Sequence, residues 1–244
     1  MSEDGVAVVI GVGPERGLGA RLCERFGREG LHVLAAGRTA ARIEAVVERI
    51  RAAGGAATAV PTDATREADV LRLFERADAT APGRLELVAF NAGNNAMKDF
   101  LEMDAPFFED TWRVGCFAGF LAGREAARRM VAQERGTVLF TGASASLRGR
   151  PPFGAFAAAK AGLRSVAQTM ARAYGPRGVH VAHVVIDGGI AGEKLERFAE
   201  FVRAKGEGGL LDLDAIADAF WLLHRQPRSA WTHELDLRPF KEPF

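Results

Sequence analysis

Seven apolar runs of strand length recur along the chain, and most of them are separated by segments whose apolar residues return at helical spacing. The strand-like runs are Val6–Val12, Leu31–Gly37, Ala56–Pro61, Leu85–Phe90, Gly136–Gly142, Gly178–Ile186 and Thr232–Leu237. The intervening Thr39–Ala53, Arg66–Ala79, Ala105–Ala132 and Phe153–Tyr174 suit helices packed on a sheet. This rhythm predicts an α/β fold, a doubly wound seven-stranded parallel sheet with helices on both faces. A fold of this kind fits the 244 residues into one domain, 1–244. Residues 188–210 carry glycines and charges and break the rhythm, which predicts a mobile insertion, a substrate loop, near the carboxyl edge of the sheet.

Charge narrows the functional classes. With 32 basic and 31 acidic residues the net charge is +1, which leaves no electrostatic footprint for nucleic acid or an anionic membrane. The two cysteines, Cys23 and Cys116, have no metal-ligand or disulfide-framework spacing, so no metal is expected and a reducing cytoplasm fits best. The start Met1-Ser2-Glu3-Asp4 is acidic and no apolar stretch approaches a membrane span, so the protein reads as cytoplasmic.

The first strand runs into Gly11-Val12-Gly13-Pro14-Glu15-Arg16-Gly17-Leu18-Gly19 and then a helix holding Leu22 and Phe26. Glycines there let the backbone approach a pyrophosphate, and the helix offers unpaired N–H groups and a positive dipole end. By itself such a turn is also compatible with a tight βα connection that binds nothing.

Gly13, Gly17 and Gly19 are spaced as in the GxxxGxG turn of the short-chain dehydrogenase/reductase family, which this chain resembles over nearly its whole length. Asp63-Ala64 is similar to the family's aspartate that holds the adenine amino group. Asn91-Ala92-Gly93 matches its NAG motif, Ser144 follows the fifth strand, and Lys160 lies in the next helix. Asp187-Gly188 stands where the family has Pro-Gly, with Ile190 just beyond. The resemblance implies a Rossmann fold and a nicotinamide dinucleotide held by Gly13, Arg16, Gly17, Leu18, Gly19, Arg38, Asp63, Ala64, Asn91, Ala92, Gly93, Lys160, Asp187, Gly188 and Ile190. The second strand ends Ala35-Ala36-Gly37-Arg38, with no acid for the 2′-hydroxyl of NAD. Arg38 and Arg16 can instead pair with a 2′-phosphate, so NADP is expected over NAD; each could also be a solvated surface arginine.

The catalytic set departs from the family. Phe156 occupies the tyrosine position of the YxxxK motif, four residues before Lys160 and on the same helix face. Cys116 falls where the supporting asparagine is usual. Ser144 and Lys160 remain, the lysine expected to hold the nicotinamide ribose. The lone Tyr174 lies fourteen residues past Lys160, roughly 21 Å along the helix, too far to substitute. Asp187 is either a proton donor of raised pKa or a carboxylate accepting turn N–H groups. His180 and His183 face opposite sides of their strand and make no metal pair. Pro152, Phe153 and Phe156 suggest an apolar substrate pocket.

Three functional classes follow: an NADPH-dependent oxidoreductase on a small carbonyl or related group with catalytic residues Ser144, Lys160 and Phe156; a catalytically silent NADP-binding sensor or partner subunit; and a non-redox enzyme, against which the glycine turn and NAG motif stand. The resemblance further implies a homodimer or homotetramer packed through Ala105–Ala132 and Phe153–Tyr174, and a small-molecule substrate.

Overall fold

In the computed structural model, residues 5–243 are described; the acidic start, residues 1–4, and residue 244 lie outside the described residues. Seven strands, β1 (Val6–Ile10), β2 (His32–Gly37), β3 (Ala57–Pro61), β4 (Leu85–Phe90), β5 (Thr137–Thr141), β6 (His180–Ile186) and β7 (Glu234–Leu237), form one sheet in the order β3-β2-β1-β4-β5-β6-β7. Every neighbouring pair is parallel. The order reverses between β1 and β4, and in such sheets the crevice at the carboxyl ends of the strands on either side of that point receives ligands.

Helices cover both faces, as the continuously apolar strands require. Side chains alternate along β1: Ala7 and Val9 enter one core with α1 (Leu18–Arg28), α2 (Ala40–Ala52) and α9 (Leu213–His224). Val6, Val8 and Ile10 enter the other with α3 (Glu67–Thr80), α5 (Ala118–Gln133) and α6 (Gly154–Tyr174).

The expected single helix Ala105–Ala132 is α4 (Ala105–Trp112), a π turn at Arg113–Phe117, and α5. A π turn adds a residue without interrupting the apolar run, so periodicity does not reveal it. It carries Gly115 and Cys116 onto α6, where a Cβ on Gly115 would lie 2.8 Å from the Ala159 side chain. A helix inside residues 188–210 was not expected either. The segment holds α7 (Glu193–Glu196) and α8 (Ala199–Lys205), and a parallel bridge between Ile190 and Leu211 fixes its base.

At the far edge of the sheet, His183 on β6 stands opposite Glu234 on β7. His183 Nδ1 donates to Glu234 Oε2 at 3.1 Å, and Arg164 of α6 grips the same carboxylate at 2.6 and 2.7 Å. Complete burial pushes the His183 imidazole down to about 4, and burial does the same to His224, which contacts Thr137 Oγ1 at 3.0 Å. Both rings are neutral in the fold, whereas in the unfolded chain they take up protons below about pH 6.5. Stability is therefore full above about pH 6.5 and falls towards pH 4, His183 alone costing about 3 kcal/mol at the acid end. Urea unfolding between pH 7.5 and 4.5 checks this, and a His183→Asn protein should show a shallower slope over the same range.

Candidate active site

The glycine turn is built by backbone contacts that tolerate no side chain. Gly11 has φ +98°, and a Cβ on it would sit 2.5 Å from the Ala92 nitrogen of the loop after β4. A Cβ on Gly19 would meet the Gly11 carbonyl oxygen at 2.6 Å, and one on Gly37 the Val12 oxygen at 2.2 Å. Gly11 and Val12 N–H groups both donate to the Ala36 carbonyl, at 3.0 and 2.9 Å. The start of α1 is thereby drawn onto the ends of β1 and β2. Gly13, by contrast, faces open space, with no atom within 4 Å of where its Cβ would be. Gly17 is the extended N-cap of α1, and no side chain caps the helix, so its first-turn N–H groups, beginning at Leu18, are left for an anion. This cradle fits a dinucleotide pyrophosphate.

Gly37 went unremarked in the sequence because it closes an apolar run, yet its missing side chain lets Arg38 begin beside the turn. Arg38 is exposed. Asp63 follows β3 half-buried, with the buried Ala64 after it; its Oδ1 accepts from Thr65 N at 3.0 Å and Thr65 Oγ1 at 2.7 Å. The turn-forming role and the adenine-binding role are thus compatible, since these bonds use one oxygen.

The NAG loop is tied to the turn through Asn91, whose N–H donates to the Ile10 carbonyl at 2.8 Å. Its Gly93 lies against Lys160: a Cβ there would be 3.3 Å from Nζ. Lys160 is 4% exposed and donates to the Thr141 carbonyl at 2.7 Å, with Nζ 5.8 Å from the centre of the Phe156 ring. Burial, reinforced by the ammonium of Lys194 on α7, pushes Lys160 down to about 8. Ser144 opens a short 3₁₀ turn, Ser144–Ser146, which packs against α6. The structure therefore gathers Gly93, Thr141, Phe156 and Lys160 at one place, with the Ser144 turn alongside. Cys116 is different: its Sγ would be 2.7 Å from a Cβ on Gly162, so it packs the α5–α6 seam, and burial pushes its thiol up.

Asp187 matches neither expected role. It is buried, and its carboxylate is held by Arg148 at 3.3 Å and by a close contact from Arg238, while its own N–H donates to Leu237 O at 2.9 Å. A buried ion pair replaces the proton donor and the acceptor of turn N–H groups. Sequence reasoning missed both arginines as partners of Asp187. Gly188 lies under Pro239, 2.8 Å from a would-be Cβ, and Ile190 anchors the bridge to Leu211. Arg16 is also not free: its guanidinium pairs with Glu196 of α7 at 2.6 Å.

Comparison with known proteins agrees with this arrangement. The family model described as short chain dehydrogenase matches residues 6–196. The short-chain dehydrogenase/reductase eriH of Hericium erinaceus is 30% identical over 185 residues, 73% of this chain and 72% of its own. Among solved structures, a short-chain dehydrogenase from Rhodopseudomonas palustris is 40% identical with a TM-score of 0.84, covering 98% of this chain and 100% of its own. A metagenomic short-chain oxidoreductase in complex with NADP is 25% identical with a TM-score of 0.82, covering 98% and 99%. With the family model matching residues 6–196, most of the chain, this protein belongs to the short-chain dehydrogenase/reductase family of oxidoreductases.

Proposed function

We propose that the protein is an NADPH-dependent reductase of a small carbonyl or related group whose proton comes from Lys160 rather than from a tyrosine. The observation that carries this reading is the buried Lys160, held between Gly93, the Thr141 carbonyl and the Phe156 ring where the family's phenol would stand. NADP is supported by Arg38 at the end of β2 with no acidic residue beside it, and by the NADP bound to a relative of the same fold.

A nicotinamide held in this crevice would supply the hydride for reduction. The rest falls to this chain's residues. Ser144 holds and polarises the substrate oxygen, Phe156 packs against the reacting face and excludes water, and the Lys160 ammonium gives its proton to the developing alkoxide. Asp187 is committed to two arginines, His183 to Glu234 and Cys116 to the helix seam, while Lys194 acts on Lys160 through its charge. A donor with pKa near working pH suits general acid catalysis. Residues 188–210 form the substrate loop, completing an apolar pocket with Pro152 and Phe153. The aromatic row of exposed Trp112, half-buried Phe117 and exposed Phe120, with ring centres 6.1 and 6.2 Å apart, supports a homo-oligomer packed through α5 and α6.

Phe156 also favours a second reading, a silent NADP-binding subunit, because the sole tyrosine, Tyr174, closes α6 far from Lys160. The two readings part on turnover: NADPH oxidation with any member of a carbonyl, imine and enone panel supports the reductase, and tight NADPH binding with none supports the silent subunit.

Three outcomes are expected. Calorimetry should find NADPH bound more tightly than NADH, and Arg38→Ala should weaken NADPH by about 1.5–3 kcal/mol while leaving NADH nearly unchanged. The reduction rate should be flat at neutral pH and fall as pH rises through about 8, where Lys160 loses its proton. A profile unchanged to pH 10 assigns the proton elsewhere. Phe156→Tyr should raise the rate on simple aldehydes by up to about 10²–10⁴ and remove that fall at 8; a slower enzyme would mean the phenol obstructs the existing donor.

A further inference from the structure

The segment Gly192–Glu196 lies directly on the glycine turn, and the contact is made by backbone as well as charge. Glu193 N–H donates to the Arg16 carbonyl at 2.9 Å, and a Cβ on Gly192 would sit 2.7 Å from that oxygen. The start of the segment is fixed by Ala191 N–H donating to Leu211 O at 2.8 Å and by the Ile190–Leu211 bridge. From this platform Glu196 reaches the Arg16 guanidinium at 2.6 Å, both side chains being more than half exposed. We propose that Glu196 is a specificity residue of the cofactor site, an internal carboxylate that holds Arg16 until a 2′-phosphate takes it. The inference rests on the NADP reading above and adds to it a residue outside the glycine turn.

Charge and solvation support the exchange. An exposed carboxylate–arginine pair is worth little, whereas a phosphate dianion offers the same guanidinium more charge and a bidentate partner. The surroundings are otherwise cationic: the side chain of Lys194, an exposed residue of α7, has its ammonium pushed down by partial desolvation and then by the charges of Arg197, Arg42 and Arg38, and it also acts on Lys160. That set has more positive charge than Glu193 and Glu196 balance, as a site for a polyphosphate requires. Lys194 is within charge range of both Arg38 and Lys160.

The test is calorimetric titration of the full chain with NADP and NAD separately. Glu196→Gln should tighten NADP about two- to fivefold and leave NAD unchanged, the range expected for removing an exposed ion pair. In an Arg16→Gln background the same substitution should do nothing, because the competitor then has nothing to hold. Lys194→Gln should weaken both cofactors by similar factors. If the natural protein prefers NADP but Glu196→Gln leaves the NADP-to-NAD ratio unchanged, the inference falls and the NADP reading stands. If the natural protein shows no preference and Glu196→Gln creates one, the inference stands and the native NADP preference falls. An equal gain with and without Arg16 overturns the inference, since Glu196 would then act only through its general charge.

Discussion

The site depends on backbone meeting backbone at the end of β1. Gly19 against the Gly11 carbonyl, Gly37 against the Val12 carbonyl and Gly11 against Ala92 bring three strand ends and the start of α1 within van der Waals contact, at distances no Cβ would permit. A parallel sheet supplies the common edge, but these contacts bring α1 close enough for its uncapped N–H groups to face the crevice. Everything else in the crevice is positioned relative to that turn: Asn91 through Ile10, Lys160 through Gly93, and the 188–210 segment through Arg16.

Departures from the family's usual residues occur in linked sets. Asp187 in place of proline would leave a buried carboxylate, and Arg238 pairs with it together with Arg148. Breaking such a pair by removing one partner leaves an uncompensated charge, so the residues at 187 and 238 constrain one another. Phe156 likewise changes what its neighbour is. With no phenol to accept its influence, the Lys160 ammonium bonds the Thr141 carbonyl and lies near an aromatic ring. Its lowered pKa then comes chiefly from burial rather than from a partner's charge.

The π turn belongs to the same account. Cys116 sits within it and packs on Gly162, and the glycines at 115, 119 and 123 let α5 approach α6 along its length. Where a polar side chain would reach into the site, this chain has a thiol used for packing. The cost of that exchange is fewer hydrogen bonds to a ligand, and its gain is a close helix seam beneath Phe156 and Lys160.

The amino-acid sequence by itself determined the fold class, the seven strands and most helices, because apolar periodicity is a local property that survives without knowing what packs on what. It also determined the glycine turn, the NAG loop, Ser144, Lys160 and the absence of a tyrosine, since these are residue identities at fixed spacing. Strand ends ran one or two residues long where Gly11 and Gly142 turn the chain. The tertiary structure alone decided which charges meet. Arg16 with Glu196, Asp187 with Arg148 and Arg238, and Glu234 with His183 and Arg164 are pairs separated by 39 to 180 residues. No periodicity encodes such partners, because electrostatic pairing depends on distance and burial in the folded chain and not on spacing along it.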